Sequence, residues 1–209
     1  MFLLKKNSGF TLIEITVALF VFMIFTTFIL TSVLRIIGTQ IEANRYRATY
    51  SELNDVVTLI STDVRELALD YQCFEAGELC AADISGRTVA FIAKNGLERR
   101  VLQVTPRQID DVEAYAVSYQ IQRRVNIDLP WPAFRGQELF SDSVLVKNFD
   151  FNLFPLEDPY SPDLDVNLAQ LYQPQLSLRV EVQPVTYPGR EPIKLETTIS
   201  SRVYNIRSR

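Results

Sequence analysis

Residues 10–34 form a run of 25 that carries one charge, Glu14. As a helix rising 1.5 Å per residue, the run extends about 37 Å, longer than the roughly 30 Å hydrocarbon core of a bilayer. It reads as a membrane segment, and the rest of the chain must fold beside it. Of residues 10–37, 20 of 28 are apolar, so the overall 47% hydrophobic content averages a lipid-adapted helix with a domain of ordinary composition. The flanks fix the sense of insertion. Lys5 and Lys6 precede the run, and positive charge stays on the cytoplasmic side, which sends the C-terminal body across the membrane. A secretory signal would place its cleavage site after a shorter apolar core. Here Asn7, Ser8 and Gly9 come before the apolar run, so a cut at Gly9 would leave the anchor on the mature protein.

Beyond Arg35, the positions Ile37, Ile41, Ala48, Leu53, Val56, Ile60, Val64, Leu67 and Ala68 keep near-helical spacing with charged residues between them. The first proline is Pro106, and Gly38 is the only glycine between Phe10 and Tyr71. One helix over about residues 10–70 follows, its first half in lipid and its second half on the soluble domain. The hydroxyls of Thr11, Thr16, Thr26, Thr27, Thr31 and Ser32 are expected to bond back to carbonyls one turn earlier, with contacts between helices as the alternative.

After the helix the periodicity changes. Residues 87–94 alternate, Asn95-Gly96 makes a turn, and 99–104 return, which is a hairpin pattern. Further strands are expected at 116–124, 143–147 running into 149–154, 176–183 and 194–204, with Phe149, Phe151 and Leu153 on one core face. A long helix followed by strands predicts an α+β fold with a mainly antiparallel sheet.

The two cysteines, Cys73 and Cys80, lie just after the helix. On the far side of the membrane they are expected to form a disulfide that contributes about 2–3 kcal/mol by constraining the unfolded chain. The chain has no histidine, which removes the commonest general base and every imidazole metal site, and no cofactor is expected. With 21 basic against 25 acidic residues and no basic cluster, nucleic acid is not an expected partner. Asp158, Asp163 and Asp165 lie in a Pro-rich acidic loop that reads as solvated, with calcium binding as the alternative. Trp131, between Pro130 and Pro132, reads equally as an interface anchor or as part of a loop folded over the core.

The order of basic leader, Gly9, Phe10, Thr11, Leu12, Ile13, Glu14 and then a long apolar helix resembles the class III signal of type IV pilin-like proteins. The resemblance implies a leader of residues 1–9 removed by prepilin peptidase, N-methylation of Phe10, a membrane half over 10–35 and a periplasmic pilin-like domain over 36–209. It also implies that Glu14 pairs with the N-terminal amine of a neighbouring subunit and sets register. An ionisable group in a membrane helix is a functional candidate on physical grounds alone, and Glu14 would lie about 6 Å from the new N-terminus. Many major pilins carry a helix-breaking proline where this chain has Thr31.

The stretch Asp63-Val64-Arg65-Glu66, the segment Val117-Ser118-Tyr119-Gln120-Ile121, residues 144–154 and residues 195–205 resemble the J-type minor pseudopilins of type II secretion systems and the related W-type minor pilins. That resemblance implies a non-enzymatic inner-membrane subunit that joins other minor subunits and the major subunit to prime a pseudopilus. A type IV pilus or DNA-uptake system uses the same parts. A membrane-tethered enzyme or receptor is the reading of another class, and its mark would be a deep pocket with converging polar groups.

Overall fold

The computed structural model describes residues 11–71, 73, 88–109, 112–155, 159, 173–187 and 189–201. The chain forms two compact units, Met1–Arg45 and Tyr46–Arg209. Helix α1 (Leu12–Glu66) starts in the first and ends in the second.

In the first unit every residue from 11 to 41 is exposed, including Leu12 at 84% and Phe28 at 76%. The helix is apolar around its whole circumference here, and by length and composition it can cross a membrane.

In the second unit the same helix becomes one-sided. It buries Thr49, Leu53, Val56, Ile60 and the adjacent pair Asp63 and Val64, spaced three or four residues apart up to that pair along one stripe. Of the expected positions, Ile37, Ile41 and Ala48 are exposed, and burial begins at Thr49. The helix also stops four residues earlier than its composition suggests. Leu67, Ala68, Leu69, Asp70 and Tyr71 are all buried, and a helix cannot bury five consecutive residues against one surface. The chain straightens instead into β1 (Ala68–Leu69) and pairs antiparallel with β2 (Thr88–Ile92) through Ala68↔Ile92 and Leu69↔Phe91.

The first sheet continues with β3 (Glu98–Ile109), β4 (Val112–Arg123) and β5 (Gln137–Glu138), in the order β1-β2-β3-β4-β5. The β2–β3 turn forms as its sequence requires. Gly96 adopts φ 63°, a left-handed conformation that costs glycine little, and Asn95 Oδ1 accepts the Leu97 N–H at 2.9 Å. Strand β3 runs past the expected end at Val104 and through Pro106. A missing N–H is tolerated there because the register with β2 ends at Gln103, which leaves Pro106 on a sheet margin.

The second sheet is β6 (Val144–Phe154), β7 (Gln175–Pro184) and β8 (Ile193–Ser200), also antiparallel, in that order. One apolar core joins the helix stripe to both sheets: Leu53, Ile60 and Val64 from α1, Leu102 and Val117 from the first sheet, Phe149, Leu178 and Val180 from the second. The architecture is the expected α+β arrangement, a long N-terminal apolar helix with antiparallel sheets, and it is consistent with a pilin-like fold.

The two expected segments 143–147 and 149–154 are one strand with a register shift between Val146 and Asn148. Val144 and Val146 are out of step with Phe149 and Phe151 by one residue, yet all four are buried. The bulge at Lys147 absorbs the odd residue, so both halves face the core. Deleting Lys147 should therefore leave the alternation intact and change the unfolding midpoint little. Deleting Asp150 should turn Phe151 and Leu153 away from the core and cost roughly 3 kcal/mol or more. Urea unfolding of the two full-length variants in detergent distinguishes these outcomes.

Candidate functional site

Three places among the described residues concentrate polar chemistry against the apolar background. The first is the start of α1. Thr11 is the residue before the first helical turn, and Glu14 is the third residue within it. Glu14 Oε2 accepts both the Thr11 backbone N–H and the Thr11 hydroxyl at 2.9 Å, while Thr11 Oγ1 accepts the Glu14 N–H at 3.4 Å. This is a reciprocal capping box, in which a Thr and a Glu three residues apart satisfy donors the helix end leaves open. The lone acid in the apolar run therefore has a local structural partner. Gly9 and Phe10, the expected cleavage and methylation positions, lie outside the described residues.

The other hydroxyls of the run behave differently from Thr11. Thr16 bonds the Leu12 carbonyl, Thr26 that of Phe22, Thr27 that of Met23, and Ser32 that of Phe28, each at 2.8 Å, and Thr31 donates to Thr27. Each closes on its own helix one turn back, as expected for hydroxyls in an apolar setting.

The second place is the end of the helix stripe. Asp63 has no exposed surface, yet it occupies a position flanked by Ile60, Val64 and Leu67. Its carboxylate accepts the Tyr119 hydroxyl at 2.6 Å and pairs with Arg100. Arg100 Nε also reaches Glu98 at 3.1 Å, and Glu98 takes Arg123 Nε at 3.1 Å. A polar chain thus runs Tyr119–Asp63–Arg100–Glu98–Arg123 from the core to the surface. Arg100 and Tyr119 reach the helix because they lie two register steps apart on the same face of β3 and β4, beside Leu102. Burial pushes the Asp63 carboxyl above the ordinary aspartate value, outweighing the hydrogen bonds from Tyr119 and Arg100 and the Arg100 charge. Burial also pushes the Tyr119 phenol up, and hydrogen bonding to Asp63 adds to this. For Glu98 the balance reverses. Partial burial raises it, but hydrogen bonds from Arg100 and Arg123 win and hold it below its usual range.

The opposite face of the first sheet carries Arg99, Val101 and Gln122, with Cys73 and Phe134 laid over Val101 and Ala90. Arg99 Nε donates to Gln122 Oε1 at 2.9 Å, its Nη1 lies 3.7 Å from Cys73 Sγ and 3.8 Å from Asp70, and Gln122 Nε2 donates to the Pro132 carbonyl at 2.8 Å. Trp131 is held between two guanidinium groups, Arg99 at 4.6 Å and Arg124 at 4.2 Å from the ring centre. Gly136 permits the loop to return to β4, since a Cβ there would lie 2.9 Å from Ser118 Cβ and would strike the Phe134 ring. Trp131 is half-buried in a loop laid against the first sheet, which agrees with the folded-over reading.

Cys73 is buried beneath this loop, and Cys80 lies outside the described residues. The acidic positions Asp158, Asp163 and Asp165 lie outside them as well. Among the described residues no cluster of three or more Cys, Asp or Glu is arranged to hold a metal ion. The Asp63 network had a signal in the sequence, an aspartate inside a stripe otherwise made of Val56, Ile60, Val64 and Leu67. The Arg99–Trp131–Arg124 arrangement had none, because it joins residues up to 32 positions apart across two strands and a loop.

Removing one member of a buried ion pair leaves the other charge unpaired, a cost of about 3–5 kcal/mol. Arg100→Met, which leaves the fully buried Asp63 without its cation, should show that loss in urea unfolding, while adding Asp63→Leu should recover most of it, and Tyr119→Phe should cost roughly 1.5–3 kcal/mol. Glu98 supplies a pH-dependent contribution of the opposite sign to Asp63. Because its folded value is lowered, its contribution is present above the unfolded value of 4.5 and is lost as pH falls through the folded value. Asp63, with a raised folded value, contributes fully below its unfolded value of 3.8 and loses that contribution as pH rises through the folded value. Glu98→Gln should therefore flatten the fall in stability below about pH 4.5, read from unfolding midpoints across pH.

In comparison with known families, residues 4–30 match the prokaryotic N-terminal methylation motif. No curated protein matches the chain, and no solved structure does. The motif and the apolar helix behind it support a type IV pilin-like protein, with processing by prepilin peptidase, assembly with other pilins and membrane anchoring of a C-terminal domain.

Proposed function

We propose that the chain is a minor pseudopilin, an assembly subunit without catalytic chemistry. It is cut after Gly9, methylated on Phe10, held in the inner membrane with its domain in the periplasm, and joined to other minor subunits at the tip of a type II secretion pseudopilus. The observation that carries this reading is the methylation motif at residues 4–30 placed directly on a helix whose residues 11–41 are all exposed. Such a surface is stable in lipid and can leave it only for another apolar surface, which neighbouring helices of the same kind supply. The narrower J-type assignment is supported by sequence likeness at residues 63–66, 117–121, 144–154 and 195–205. Two of those stretches meet in the structure at the contact between Asp63 and Tyr119.

Within this reading Glu14 sets axial register by pairing with the N-terminal amine of a neighbour. Its capping partner Thr11 holds the carboxylate at the helix entry until then. Cys73 and Cys80 form a disulfide that pins the segment leaving the helix, supported by the burial of Cys73 against Arg99 and Val101.

Mass spectrometry of the protein purified from membranes tests the processing. The expected mature chain begins at N-methylated Phe10 and, without reductant, carries one disulfide. A chain that keeps residues 1–9 overturns the reading. Glu14→Ala should be processed and inserted normally yet be absent from complexes recovered with pilin-like partners. Co-purification of those partners with wild-type protein also identifies the system, since secretion and pilus components are distinct proteins.

A further inference from the structure

One end of the first sheet displays aliphatic side chains that nothing among the described residues covers. In the loop after β4, Val125 is 92% exposed, Ile127 49% and Leu129 50%. Scattered apolar residues on a surface are ordinary, but three in one short loop are not, when that loop is also fixed in place.

Arg124 does the fixing. Its backbone N–H donates to the Leu97 carbonyl at 2.9 Å, its Nε to the Gly96 carbonyl at 2.9 Å and its Nη1 to the Leu129 carbonyl at 3.2 Å, while its guanidinium stacks on Trp131. The Leu129 N–H closes on Asn126 at 3.3 Å. The aliphatic loop is thus ordered before any partner arrives, which lowers the entropy cost of binding.

Its charged surroundings are lopsided. Lys94, on the β2–β3 turn that Arg124 grips, is exposed, as is Arg135, which follows the loop in the chain. The acids nearby are Asp128, which is exposed on the loop, and Glu98, which is engaged by Arg100 and Arg123.

We propose that the 125–129 loop is a docking element for a second protein whose receiving surface is an apolar groove edged by carboxylates. Charge complementarity selects that occupant. A second copy related by two-fold symmetry would bring the same basic rim against itself. A bilayer surface is disfavoured because the ring of Trp131, the side chain best suited to a lipid interface, is half-buried and taken up by Arg99 and Arg124.

The test places a photo-reactive phenylalanine at position 125 of the full-length chain in the cells that make it. The expected product is an adduct to a different protein, at a peptide bearing Asp or Glu. Lys94→Glu with Arg135→Glu should lower its yield tenfold or more, and reversing the partner's carboxylates should restore it. An adduct to a second copy, to lipid or within the chain overturns the proposal. So does a yield indifferent to the charge reversal, a peptide without acids, or no adduct at all. The readout is independent of leader cleavage, so its failure is distinguishable from failure of the pseudopilin reading.

Discussion

Both sheets of the second unit meet on a single stripe of one helix, and everything else in that unit depends on the stripe staying apolar and in place. Leu53, Val56, Ile60 and Val64 supply it, and residues from seven strands join it in one core. Because the helix continues from a segment with no inward face, the stripe is also where the chain changes from a surface adapted to lipid to one adapted to a protein core. The change is abrupt: exposure is complete through residue 41 and burial starts at Thr49. A uniform apolar helix would have no reason to present one face to the sheets. The charged residues between positions 42 and 66 leave only one face able to be buried.

Asp63 interrupts that stripe at a point where an apolar residue would fit the pattern. Its cost is offset by two partners from adjacent strands, Arg100 and Tyr119, so the interruption works as an address. An apolar stripe tolerates sliding or rotation by a turn with modest penalty, whereas a carboxylate with one acceptable location does not. The helix is therefore held in one rotation and one height against the first sheet. Glu98 and Arg123 extend the same chain of contacts outward, away from the helix.

The sequence made the long helix, the turn at Asn95-Gly96 and the longer strands legible because each repeats a pattern over many residues. Strands β1 and β5, two residues each, carry no period and were invisible. The early helix stop was also hidden, since Leu67, Ala68 and Leu69 are good helix formers and only their complete burial pulls them into the sheet. At the candidate site the division is similar. Glu14 stands out in any reading of the sequence, and its Thr11 partner is three residues away. The partners of Asp63 and of Trp131 lie on other strands, and nothing local announces them.

The seating of Trp131 has a practical consequence. It is the only tryptophan in the chain, and it lies between Arg99, whose sulfur neighbour is Cys73, and Arg124, which anchors the 125–129 loop. Long-wavelength fluorescence from this protein therefore has a single emitter at the junction of two segments. Its colour and intensity report whether that junction is closed, a local event that circular dichroism of the long helix would not register.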